Sequence, residues 1–140
     1  MCYHSQQTKT SGSIQERFNV EGEANLGIFN GFSHPKTPVI TNEDQKRVQN
    51  FSWGLIPSWA KGQDIRRYTL NAKVETLHEK PSFREAKRCL VITDGFYEWQ
   101  WQDPNGKKKQ KHLITLPNNE LFAFAGLWDE WIDKTTGEII

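Results

Sequence analysis

The chain has 140 residues, a formal net charge of +1, 25% charged residues and 36% hydrophobic ones. That length supports one domain with a real core, not two, and no apolar run approaches the roughly 20 residues of a membrane helix. Residues 1–13 lack the apolar stretch of a secretory signal, so a cytoplasmic location is expected.

In chain order, "SGSIQERFNV" (11–20) reads as a short amphipathic helix, with Ser13 and Glu16 at capping-box spacing. "GIFNGFSHPKTP" (27–38) is rich in Gly, Pro, Asn and Ser and reads as irregular. "VIT" (39–41) and "VQNFSWGLI" (48–56) read as strands around the polar turn "NEDQ". "VETLHEK" (74–80) is helix-like, and Pro81-Ser82 opens another short helix with Glu85 at capping distance. From Arg88 the pattern is β. "RCLVITDGFYEWQW" turns at "DPNG" into "KHLITL", and "PNN" leads into "LFAFAGLWDEW". "KTTG" is a last turn and "EII" starts a further strand. The expected fold class is α+β, a single domain with a curved, mostly antiparallel, barrel-like sheet and a few short helices. A hairpin arm as short as "EII" forms a poor sheet edge. Residues 1–140 are therefore expected to be the N-terminal part of a longer domain.

Charge is uneven along this chain. Residues 53–88 carry eight positive and four negative charges, while residues 89–140 carry five positive and eight negative. A basic segment beside tryptophans fits a polyanion partner, although charge alone favours a solvated surface. The run "KKKQK" (107–111) behind the DPNG turn reads as a solvated loop. Two cysteines 87 positions apart form no disulfide framework, and no Cys or His pair has zinc-ligand spacing. No metal and no cofactor are expected. Cys89, in "RCLVIT", reads as a buried strand residue.

Cys2 has two readings. It is either an ordinary residue of a mobile terminus or a chemical group. Removal of Met1 would leave an α-amine and a thiol on adjacent carbons. The α-amine has a reference pKa of about 7.7–8.0, so part of it is free base near neutrality. An aldehyde would condense with it to an imine. The adjacent thiol would then close a five-membered thiazolidine, with the advantage of an intramolecular step. An internal cysteine cannot do this, because its nitrogen is an amide.

Other stretches also have two readings each. Trp53 fits core packing, whereas Trp59, just ahead of the basic "KGQDIRR", fits a stacking platform for bases. Asn71 in "LNAKVET" is either a helix cap or a ligand contact, and Lys73 suits a phosphate. Glu98 in "DGFYEWQW" stands among aromatic residues. It is either a solvent-side strand residue or a desolvated carboxylate suited to proton transfer.

Cys2, "WGLIPSWA", "NAKVETLHEKPSFREAKRCLVITDGFYEW" and "FAFAGLWDEW" occur in one order along the chain. Together they resemble the SRAP family, the SOS response-associated peptidases or abasic-site processing proteins. The resemblance implies a DNA-damage protein that binds single-stranded DNA, or a single-strand/double-strand junction, carrying an abasic site, and works as a monomer. It implies a covalent thiazolidine cross-link through Cys2, with Asn71 contacting the lesion and Glu98 assisting proton transfer. Pro35, Trp59 and Lys73 fall at family DNA-contact positions, and Arg66 and Arg67 of the basic stretch are further candidate DNA contacts. The family usually reads Cys-Gly-Arg at its start, where this chain has Cys2-Tyr3-His4, and an arginine where this chain has Lys73. Lys keeps the charge but not the bidentate fork. The family's catalytic histidine falls in a motif that none of His4, His34, His78 or His112 occupies. Two other classes stay open: an N-terminal-nucleophile peptidase acting on its own N-terminus or other peptides, and a non-covalent single-stranded DNA binder.

Overall fold

A computed structural model describes residues 1–140. Its strands are β1 (His4–Gln7), β2 (Gly27–Asn30), β3 (Lys36–Thr41), β4 (Gln49–Ser52), β5 (Lys87–Thr93), β6 (Gly95–Trp101), β7 (Lys109–Ile114) and β8 (Phe122–Trp128), with one α-helix, α1 (Ser11–Phe18). They form two antiparallel four-stranded sheets, ordered β2-β1-β6-β7 and β4-β3-β5-β8. The class is the expected α+β, with two sheets in place of a closed barrel. No helix is long and apolar enough to cross a membrane.

The chain passes between the sheets at Asp94, which separates β5 from β6 and is 1% exposed. A buried carboxylate needs partners. Asp94 accepts from the Thr8 amide at 2.9 Å and from the Thr8 hydroxyl, and its own amide donates to the Gln6 carbonyl. The inter-sheet bend thereby holds the end of β1. Between the sheets, Phe96 meets Phe122 and Phe124 edge-on, with ring centroids 6.5 and 5.4 Å apart. The main apolar cluster is Ile14, Val20, Ile40, Val48, Ile92 and Leu121, on which α1 lays its buried face.

Several local expectations change. α1 is capped by Thr10, whose hydroxyl accepts from the Ser13 amide at 3.1 Å, so the cap lies one turn before the expected Ser13–Glu16 pair. The supposedly irregular 27–38 contains β2 and the first residues of β3. β4 ends at Ser52, ahead of Gly54 with φ +108. Residues 74–85 form successive turns closed by i→i+3 hydrogen bonds such as Thr76 to Lys73 and Phe83 to Lys80, with no helix. Val74 there is 74% exposed, so the segment has little apolar face to bury, and short helices depend on such packing. "KKKQK" is divided, with Lys109 and Lys111 in β7 and only Lys107 and Lys108 in the loop. The final "EII" pairs back as expected, through an Ile132–Ile139 bridge and reciprocal Trp131–Ile140 hydrogen bonds.

Candidate active site at the N-terminal strand

β1 is a polar tetrapeptide, HSQQ, lying between β2 and β6. His4 is in register with both Asn30 and Tyr97, and Ser5 with Phe29 and Phe96. A central strand is hydrogen-bonded on both sides, so the residue just before it is not a loose end. Tyr3 extends the attachment. Its carbonyl accepts from the Gly31 amide at 2.8 Å, and its ring stacks on Phe32 with centroids 5.0 Å apart.

Cys2 follows at the mouth of this arrangement. The Asn71 side-chain amide donates to the Cys2 carbonyl at 2.8 Å. The thiol donates to the His4 carbonyl at 3.1 Å. The Met1 ammonium lies 3.8 Å from Glu98 Oε1. Cys2, Asn71 and Glu98, far apart in sequence, therefore share one site. Asn71 acts on the N-terminal strand and caps no helix, since none follows it.

Asn71 is itself positioned by its neighbours. The adjacent Leu70 carbonyl accepts from Trp53 Nε1 at 2.8 Å. Gly31 lies against the Trp53 ring so closely that an added Cβ would stand 3.2 Å from it. The Trp53 amide donates to the Pro35 carbonyl at 2.9 Å, and His34 Nδ1 bonds the Trp53 carbonyl at 2.9 Å. Trp53 thus joins the 31–35 and 69–71 loops behind Cys2, a role beyond the core packing its sequence context indicated. Nothing in the sequence marked Tyr3, Phe32 or His34 as supports. The Gly31–Trp53 contact is the kind of close approach for which a lone glycine is a signal.

Burial pushes the Cys2 thiol above its ordinary pKa. Backbone hydrogen bonding at His4 opposes this in part, and the Glu98 carboxylate raises it further. The resting group is the neutral thiol, so nucleophilic attack requires a base. Glu98, its side chain 38% exposed, stands beside the N-terminal ammonium, while Tyr97 and Trp99 project from the opposite face of β6.

The remaining candidates lie around this centre. Pro35 is half-buried in the loop held by Trp53. Trp59 is 58% exposed, and Lys73 and Arg67 are exposed, Arg67 lying 5.0 Å over the ring of Tyr68. Arg66 departs from the surface role expected of it, for the residue is only 9% exposed. Its Nη1 donates to Gln63 Oε1 at 3.2 Å, its Nε and Nη2 are buried without partners, and burial lowers its pKa. Gly54 makes room for it, since a Cβ there would stand 3.2 Å from the Arg66 backbone oxygen and 2.8 Å from His34 Nδ1.

Fold and site together define an α+β protein whose N-terminal cysteine is presented at the head of a central strand, beside a carboxylate and an amide from distant segments. The family profile "SOS response associated peptidase (SRAP)" matches residues 1–140, and the chain belongs to that family. It is 41% identical over 126 residues to the abasic site processing protein YoqW of Bacillus subtilis, a match covering 84% of this chain and 55% of that one. It is 28% identical over 154 residues to the abasic site processing protein HMCES of Xenopus tropicalis, covering 93% of this chain and 44% of that one. A crystal structure of a Bacteroides thetaiotaomicron protein superimposes with a TM-score of 0.86 at 34% identity, covering 99% of this chain and 64% of that one. The chain spans about half the length of the curated relatives it matches.

Proposed function

We propose that this protein responds to DNA damage by capturing abasic sites in single-stranded DNA, or at single-strand/double-strand junctions, through Cys2 once Met1 is removed. The ring-opened abasic sugar presents an aldehyde. The Cys2 amine condenses with it and releases water. The thiol then adds to the imine carbon, forming a C–S bond, and its proton passes to the ring nitrogen. The names of the curated relatives support the substrate. The observation that carries the chemistry is the fixing of the Cys2 carbonyl by Asn71, with Glu98 3.8 Å from the nitrogen of the adjoining Met1 and so one residue from the amine that Met1 removal frees. With the thiol protonated at rest, Glu98 is suited to take and return protons during imine formation and ring closure. Trp59, Pro35, Lys73 and Arg67 would contact the strand around the lesion, and a monomer suffices for all of these roles.

Incubation with an abasic single-stranded oligonucleotide should give a heat-stable, slower-migrating species on a denaturing gel. Its absence in the wild type, or its persistence in Cys2→Ala, would overturn the proposal.

A second reading has its own observation. The Met1 ammonium lies within ion-pair reach of Glu98, so the site also suits hydrolysis of the Met1–Cys2 bond. Mass spectrometry of the mature N-terminus tests this. Loss of Met1 in wild type with retention in Glu98→Ala supports self-processing, and loss in both rules it out.

A further inference from the structure

Beyond Glu98, β6 continues with β7 as a two-stranded ribbon whose outer face is neither covered nor assigned a role. Period-2 alternation puts Tyr97, Trp99 and Trp101 on one face of β6. The register places Leu113, Lys111 and Lys109 directly across from them on β7. The result is a ladder of rings beside a ladder of cations. Lys111 Nζ lies 4.4 Å from the Tyr97 ring centroid and 5.8 Å from that of Trp99, and Lys109 Nζ lies 5.7 Å from that of Trp101. Trp99 and Trp101 remain 49% and 60% exposed. Trp101 is buttressed at the turn, where a Cβ on Gly106 would stand 2.8 Å from its ring. Around them are Lys107, Lys108, Lys109 and Lys111 against a single carboxylate, Asp103.

Exposed rings alone would suit many partners. Rings interleaved with unneutralised lysines select a ligand that has flat π-faces and negative charge at short, regular intervals. We infer that the outer face of the β6–β7 ribbon is a second nucleic-acid contact, on which unpaired bases stack against Trp99 and Trp101 while Lys109 and Lys111 meet the phosphates. The inference rests on the abasic-site reading for its biological setting. Glu98 and Trp99 are consecutive in β6 and project from its opposite faces, so the ribbon face is a contact separate from Glu98 itself.

The test uses the full-length protein and an intact 25-nucleotide single strand without a lesion, followed by fluorescence anisotropy across a salt series. The variants are Trp101→Leu and the double substitution Lys109→Gln/Lys111→Gln, each checked by thermal melting. Both should weaken binding about tenfold. The double variant should also lower the salt slope by about 1.4, as expected for two lost single-strand phosphate contacts. Cross-linking at saturating abasic oligonucleotide should keep its wild-type final yield in both. Unchanged affinity and salt slope in the folded variants would overturn the inference. So would unchanged DNA binding accompanied by loss of self-association in sedimentation, which would make the ribbon a protein contact. Failure of the wild type to cross-link would count against abasic capture alone and leave this binding measurement independent.

Discussion

The Asn71 side chain and the Cys2 carbonyl are joined by a 2.8 Å hydrogen bond across 69 positions of sequence. The bond fixes the peptide plane immediately after the reactive residue, and so the direction in which its amine and thiol face. Asn71→Ala should reduce stability by about 1 kcal/mol, the usual net value of one hydrogen bond. It should slow cross-linking more than tenfold while leaving affinity for intact single strands nearly unchanged. Asn71→Asp should be worse, because a carboxylate facing a carbonyl can only accept. Melting curves and single-turnover cross-linking rates measure both, and a wild-type rate in Asn71→Ala would remove the positioning role.

The Cys2 thiol is held up by burial and by the Glu98 charge. Its alkylation by iodoacetamide should therefore keep accelerating as pH rises past 9. Glu98→Gln removes a nearby negative charge, which favours the thiolate, so its pH–rate curve should shift toward lower pH. An unshifted curve would show that the carboxylate does not act on the thiol.

Cys89 responds to pH through stability. It is buried in β5 and its pKa is pushed up to about 11. Between about pH 9 and 11 the unfolded chain loses this proton and the folded chain keeps it. Stability should therefore fall through that window, by on the order of 2–3 kcal/mol from this group. Below pH 9 the group contributes no slope. Urea melts of Cys89→Ala should show a flatter alkaline limb than wild type, and parallel limbs would contradict the assignment.

Arg66 is an internal charge with two unpartnered nitrogens. Exchanging a poorly compensated buried ion for an apolar side chain of similar length is often neutral or stabilising. Arg66→Met should melt at or above the wild-type temperature. A clear drop would mean that the guanidinium is paired in solution by a group that moves onto it.

Cys2, Asn71 and Glu98 could each be singled out in the sequence, but the residues alone left two readings of each, and only the family resemblance joined them. Their assembly was not legible. HSQQ has no apolar alternation, and β1 is a strand because β2 and β6 hydrogen-bond it from both sides, which local sequence does not encode. The same limit explains "GIFN", where one buried phenylalanine, Phe29, carries the only pattern. Residues 74–85 show the opposite case, in which capping-type residues occur with only Phe83 buried and the chain stays in turns. The β6–β7 hairpin follows from DPNG and its flanking strands. The division of its lysines between loop and strand depended on register, which the turn alone did not fix.

The placing of β1 between β2 and β6 has a consequence for the timing of folding. β1 can pair with β2 once residues 27–30 have been made, but its other edge stays open until residues 95–97 follow, a further delay on the order of 3–13 s at ordinary elongation rates. During that interval β1 is an edge strand without its β6 partner, and Cys2 ahead of it is more open to an aminopeptidase and to any stray aldehyde. Pairing at such long sequence separation is also slow. The chain therefore has a maturation window early in its life, and closure of the central strand ends it.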